Sequence, residues 1–385
     1  MSKLNVDTIE PEGASTTLTL GASGDTVDLS NAAVTLPDSA YLANRNMIIN
    51  GAMQVSQRGT STTTAGFIVD RIESGVSAVD ELVCTYSQDS SGADGFANSY
   101  KINVDTAESA IAVDEYQRVT YKIEAQDCQD LKYGNASAES VTLSFHVKSN
   151  VTGTYAFSIF GDDGSRLIGG TYTISSSATW EKKTLTFAGD TAGTMNDDNG
   201  SGLRLCFWLI AGTNFTSGST NTSWMASTTA STAYGHAVNL GSTINNYWQV
   251  TGIQLEIGSV ATPFEHKTYG QELAACQRYY QIKGMGLIGG VESTSSTVGT
   301  MRTGITYNPE MRAAPTVGVG ASTITYNYPG IASIASISNA ISWNSNATSK
   351  GTVMGVGNYD NSGRAGGDLV ILSGGGNQIT FDAEL

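Results

Sequence analysis

The apolar residues of this chain recur at every second position in short runs, and no sustained helical periodicity separates those runs between residues 46 and 266. "VTLSFHVKS" (Val141 to Ser149), "TYAFSIFG" (Thr154 to Gly161), "ATWEKKTLTFAG" (Ala178 to Gly189) and "LRLCFWLIAG" (Leu203 to Gly212) alternate or run apolar over strand length and give way to Gly, Asn or Asp. A parallel sheet needs helical crossovers, which this pattern lacks. Residues 46–266 are therefore expected to form an antiparallel β-sandwich of jelly-roll type. The low charge (14%), the 6 prolines and the 44 glycines spread among Ser, Thr and Asn suit short strands joined by polar turns, so the fold class is all-β. A length of 385 residues predicts two or three domains.

The stretch "NNYWQVTGIQLEIGSVATPFEHKTYGQELAACQRYYQ", Asn245 to Gln281, marks the end of the sandwich. Val250, Ile253, Leu255 and Ile257 alternate imperfectly as a last strand, which the Thr262-Pro263 step is expected to end, because proline has no ladder donor. Leu273, Cys276 and Tyr280 then recur at helical spacing, and 267–281 is read as a short linker helix. It either covers a sheet edge or packs against symmetry copies with those three residues inward. Residues 282–385, rich in Gly, Ser, Asn and Ala, are read as a small distal β module. Residues 1–45 hold three short alternating pieces in which Leu18/Leu20, Val27/Leu29 and Val34/Leu36 place two apolar side chains each on one face. So little apolar surface cannot offset the cost of ordering the chain, about 1–2 kcal/mol per residue. This arm is either a flexible tail or is completed by two further copies winding into a trimer.

The net charge of −15 is the wrong sign for holding nucleic acid or an anionic membrane surface. No apolar run approaches the ~18 residues of a membrane span, and the amino end lacks the apolar core of a secretory signal, which implies synthesis in a cytoplasm. Cys84, Cys128, Cys206 and Cys276 are far apart in sequence and are expected to be reduced, buried thiols. HExxH, GxSxG, GxxxxGK[ST] and GxGxxG patterns in the right context are missing, and the three histidines, His146, His236 and His266, are not paired at ligand spacing. No enzymatic activity and no cofactor are expected. Calcium is the one metal with candidate ligands: "GDDGSR" (Asp162, Asp163) and "NDDNGSG" (Asp197, Asp198) gather oxygen atoms, although both also read as turns. In the distal region Tyr326, Tyr328, Trp343, Asn344, Tyr359 and Asp360 mix aromatic rings with amide and acid groups, which suits a sugar face and its hydroxyls; the alternative is that they fill the module's core.

Four pieces carry a resemblance: "NRNMIINGAMQVSQRGTS" (Asn44 to Ser61), "GFIVDRIE" (Gly66 to Glu73), "YQRVTYKIEAQDCQDL" with the strand region after it (Tyr116 to Tyr155), and the run from Trp248 to Gln281. In this order they resemble bacteriophage tail fibre and virion-associated proteins. The amino-terminal "SKLNVDTIEPEGASTTLTLGASGDTV" is similar to the arms of fibres from phages of marine bacteria, and "NPEMRAAPTVGVG" (Asn308 to Gly320) to pieces of fibre ends. The resemblance implies a jelly roll similar to carbohydrate-binding modules, in a homotrimeric fibre on the virion tail, made in the cytoplasm of the host bacterium. The arm would attach to phage tail proteins, and the distal part would bind host polysaccharide or lipopolysaccharide. A structural virion protein without receptor binding and a glycan-cleaving tailspike are the alternatives.

Overall fold

The computed structural model describes residues 44–293, 298–319, 323–327, 335–338, 341–343, 348–360 and 369–385. The six arm residues Leu18, Leu20, Val27, Leu29, Val34 and Leu36 lie outside them, as do Tyr328 and Asn344.

Twelve strands build the sandwich: β1 (Ser61–Thr62), β2 (Glu73–Ser77), β3 (Val83–Asp89), β4 (Ser99–Thr106), β5 (Tyr116–Glu124), β6 (Val141–Ser149), β7 (Gly153–Gly161), β8 (Arg166–Ile174), β9 (Glu181–Phe187), β10 (Ser201–Ala211), β11 (Met225–Ala226) and β12 (Tyr247–Ile257). The first sheet has the order β1-β3-β4-β12-β6-β9 and the second β11-β8-β7-β10-β5-β2, with every pairing antiparallel. The chain crosses between the sheets after β1, β2, β4, β5, β6, β8, β9 and β11, so strands that neighbour in space come from distant sequence. This is the jelly-roll sandwich that the alternation predicts. The inward half of each strand makes the core: the Phe207 ring on β10 lies 5.7 Å from Trp248 on β12, 5.1 Å from Phe145 and 4.7 Å from Phe157. β10 is apolar on both sides because a segment carrying the single helical turn α1 (Thr213–Thr216) lies across its outer face. There Trp208, Cys206 and Ala233 form a second apolar cluster. All four cysteines are free and buried.

The imperfect alternation of the last strand is a β-bulge. The register of β12 against β6 shifts between Thr251 and Gln254, and Gly252 takes a φ of +61° that β-branched residues avoid. The asparagine-rich "NRNMIING" segment docks here. The Asn46 side-chain oxygen accepts from the Leu255 amide at 3.1 Å and its amide donates to the Ile253 carbonyl at 3.0 Å, supplying partners that the bulge removes from the ladder. A Cβ on Gly51 would fall 2.2 Å from the Ile253 carbonyl oxygen, so glycine permits this close approach. β12 ends at Ile257, earlier than the Thr262-Pro263 step, with Gly258 at φ +108° turning the chain. Residues 258–266 then fold back, and Thr262 and Glu265 donate to Glu256 and Gln254, which satisfies polar side chains otherwise buried without partners.

The linker helix α2 spans Tyr269–Gln277 and opens with a capping box in which Thr268 and Gln271 exchange backbone and side-chain hydrogen bonds. It is shorter than the sequence spacing suggests, because Tyr280 belongs to the next strand. Cys276 (0% exposed) and Tyr280 (7%) are covered by their own chain and Leu273 is half-buried. The expectation that these three face copies of the chain is corrected accordingly: Cys276 and Tyr280 have no surface left to present.

Strands β13 (Tyr280–Ser293), β14 (Val298–Thr306), β15 (Thr316–Val319), β16 (Thr323–Asn327), β17 (Ala335–Ser338), β18 (Ile341–Trp343), β19 (Gly351–Asp360) and β20 (Leu369–Asp382) form a third sheet, ordered β17-β16-β20-β13-β14-β19-β18 with β15 also on β20. Its base joins the sandwich through charged and aromatic groups. Arg71, almost fully buried, donates to Glu384 and stacks 3.5 Å over Tyr279, while Arg58 lies 3.6 Å over Tyr280 and pairs with Asp382 at 3.1 Å. Arg278 grips Glu124 through two nitrogens at 3.1 and 2.8 Å, and the Tyr279 hydroxyl donates to the same carboxylate at 2.5 Å.

Candidate functional site

The outer face of the first sheet brings together polar and aromatic side chains that the strand alternation turns away from the core. On β4 this half is Lys101 and Asn103, on β12 Tyr247, Gln249 and Thr251, and on β6 His146 and Lys148; all but Gln249 and Thr251 are half-buried. The register aligns them in rows. Lys101, Gln249 and Lys148 sit side by side, with Asn103 beside Tyr247 in one direction and Thr251, His146 and Lys182 beside one another in the other. Trp180, the residue before β9, completes the central row, and the Lys148 Nζ lies 4.9 Å over its ring. Lys101 lies 5.3 Å over the Tyr247 ring and pairs with Asp89 at 3.4 Å.

The Tyr247 and Trp180 positions are two strands and about two residues apart. That offset is roughly 12 Å from strand spacing and rise, and matches a segment of linked sugars better than one ring. Half-buried aromatic rings flanked by ammonium, amide and hydroxyl groups can stack on sugar faces and bond their hydroxyls. One side of the strip is walled by rings: Phe96 lies 5.3 Å from His146, 4.9 Å from Phe264 and 5.3 Å from His266. The bulge makes room for that wall, since a Cβ on Gly252 would meet the Phe96 ring at 2.5 Å. Burial lowers the His146 imidazole below the ordinary histidine value, with Lys182 adding to the fall and Asp94 opposing it, which keeps the ring neutral at pH 7. Burial also lowers the Lys148 ammonium, Asp89 opposing and Lys101 adding, and raises the Tyr247 phenol.

Of the distal residues named from sequence, Tyr326, Trp343, Tyr359 and Asp360 lie on three strands of the third sheet. Tyr326 lies on β16, and Tyr359 and Asp360 lie on β19, with β20, β13 and β14 between. Trp343 on β18 is opposite Met354, five residues along β19 from Tyr359. Three of the four acids are engaged within the protein: Asp162 takes the Arg204 guanidinium (2.8 Å) and the Ser201 hydroxyl (2.7 Å), Asp163 takes Asn196, and Asp198 accepts from the Gly200 amide at 2.8 Å in a turn. Among the described residues no three His, Cys, Asp or Glu side chains, Asp197 and Asp198 included, gather as metal ligands. Sequence reasoning missed the strip because its members come from four distant segments. Its trace was the polar half of each alternating strand, together with the glycine in "VTGIQ".

No protein-family model and no curated protein matches the chain. Solved structures do. The enzymatically active domain of tailspike protein 4 from bacteriophage CBA120 is 13% identical over 55% of this chain, with a TM-score of 0.30, and the match spans 21% of that chain. The CBM22-1 xylan-binding domain from Paenibacillus barcinonensis Xyn10C is 11% identical, with 58% of this chain and 100% of that chain covered and a TM-score of 0.26. The family 11 carbohydrate-binding module of a Clostridium thermocellum cellulosomal cellulase is 14% identical, with 55% and 95% covered and a TM-score of 0.24.

Proposed function

We propose that this chain is a bacteriophage tail-fibre protein that binds a host-surface glycan without cleaving it, and that the outer face of the first sheet is the reader. The observation that carries the reading is the row Lys101–Gln249–Lys148–Trp180 with Tyr247 beside it, rings and hydrogen-bonding groups held on a rigid sheet. The fibre assignment rests on the four ordered sequence pieces from Asn44 to Gln281. In this account residues 1–45 attach to the tail and join three copies, and weak single sites suffice because copies on one particle raise the effective concentration. The strip takes precedence over the distal residues because its members are neighbours, whereas Tyr326, Trp343 and Tyr359 are spread across the third sheet. Non-catalytic binding is supported by the acids at the strip: Asp89 is tied to Lys101, and Asp105 to Thr85 and Asn103.

Binding of the full-length protein to host cells and their purified polysaccharide tests this. Trp180→Ala and Tyr247→Ala should each weaken binding by at least tenfold, on the order of 1–3 kcal/mol for a lost stacking partner. Undiminished binding in both variants moves the reader elsewhere. Release of new reducing ends would make the protein a tailspike enzyme, and no binding by the parent would leave a structural virion role.

A further inference from the structure

We propose that the glycan is acidic, its anionic groups docking on Lys148 and Lys182 beside the Trp180 ring; this deepens the glycan-binding reading of the same face and rests on it. The starting point is a contrast in how the cations are paired. Arg58, Arg71, Arg166, Arg204 and Arg278 each meet a carboxylate, as does Lys101 through Asp89. Lys183, which points to the other side of β9, meets Glu181 at 2.5 Å. Lys148 and Lys182, like Arg45, Arg118, Lys267, Lys283, Arg312 and Lys350, form no ion pair among the described residues, although the chain carries 35 acidic side chains against 20 basic ones.

The two lysines are also neighbours. Lys182 is registered opposite His146, two residues from Lys148 on the adjacent strand, so their positions are diagonal across the sheet at roughly 7–8 Å. The like charge that acts on Lys148 is that of Lys101, and an oxyanion placed between Lys148 and Lys182 would make charge-assisted hydrogen bonds to both. Asp89 pairs with Lys101 at 3.4 Å, and its charge also acts on Lys148. The Lys148 ammonium lies 4.9 Å over one face of the Trp180 ring, so a sugar stacked on the other face, or in place of that ammonium, would bring its substituents near Lys148. The net charge of −15 repels polyanions at a distance. That field is screened beyond about 8–10 Å in physiological salt, so selection falls to this local pair. A uronate carboxylate and a sugar sulfate share the needed chemistry, an oxyanion on a pyranose.

The test uses the full chain, titrated with polygalacturonate, with its carboxyl-reduced neutral counterpart and with a sulfated galactan. The parent should hold at least one charged polymer more tightly than the neutral one, and the preferred polymer identifies carboxylate or sulfate as the group read. The double variant Lys148→Gln/Lys182→Gln, on surface positions that leave the core intact, should lose about tenfold more toward the charged polymer than toward the neutral one. Trp180→Ala should weaken both. Equal affinity of the parent for charged and neutral polymers, no binding of any charged polymer, or unchanged binding by the double variant each overturns the proposal. The glycan-binding reading fails separately, when Trp180→Ala and Tyr247→Ala bind every polymer and the host cells as the parent does.

Discussion

The interior of the sandwich and the joint at its base solve the same problem with opposite chemistry. Between the sheets, Phe145, Phe157, Phe207 and Trp248 interlock with aliphatic side chains, a packing that depends on volume and shape. At the joint, Arg58 and Arg71 lie over tyrosines and pair with Asp382 and Glu384, while Arg278 and Tyr279 close on Glu124. Buried ion pairs add little net stability, since desolvation offsets most of the attraction, yet they tolerate few alternative geometries. The sandwich interior therefore supplies stability, and the joint fixes the orientation in which helix and third sheet leave it.

That contrast can be broken at several points. The largest effect is expected from Phe207→Ala, which opens a cavity at the centre of the aromatic cluster and should cost about 3–5 kcal/mol in urea unfolding. Arg71→Leu leaves the buried Glu384 carboxylate with Arg58 at 3.4 Å as its remaining cation and should cost about 3 kcal/mol; the double change Arg71→Leu/Glu384→Met should recover most of it if orientation rather than net stability is the joint's contribution. A thermal melt of both variants decides the point, and a double variant no better than the single one would show the pair to be stabilising in its own right.

A pH titration sharpens the comparison. Burial raises Glu124, but hydrogen bonds from Arg278 and Tyr279 and the charges of Arg278 and Arg312 outweigh it and hold the carboxyl below the ordinary glutamate value. A folded-state value below the unfolded one, near 4.3, means that this stabilisation is complete above that pH and is lost as pH falls through the folded value. Glu124→Gln should be less stable than the parent at pH 7, and the gap should close in acid; a gap that persists in acid would assign the loss to packing instead. Gly252→Ala should cost about 1–3 kcal/mol, because alanine resists the positive φ and meets Phe96, and it should disturb the ring wall without unfolding the core. Thr268→Ala, which removes the capping box of α2, is expected to cost about 1 kcal/mol, read from the same melts.

Strand identity, the sandwich, the buried thiols and the short helix were legible because each is written in local periodicity or residue type. Val141 to Ser149 alternates whatever it pairs with, and the helix before Tyr280 shows in the spacing of Leu273 and Cys276. Three features were not legible. The imperfect alternation of β12 and the glycine within it were the trace of the bulge, but neither showed that Phe96 would fill the space beside Gly252. The helical spacing of Leu273, Cys276 and Tyr280 left open whether they cover a sheet edge or face copies of the chain, and Cys276 and Tyr280 pack on their own molecule. The candidate strip escaped notice because Lys101, Lys148, Trp180 and Tyr247 become neighbours only through jelly-roll crossovers.

The amino-acid sequence by itself determined which segments become strands and which face of each is apolar, because side-chain alternation is a property of one strand. Only the tertiary structure decided which polar faces stand together and which charges go unpaired, because register and sheet order join residues more than a hundred positions apart.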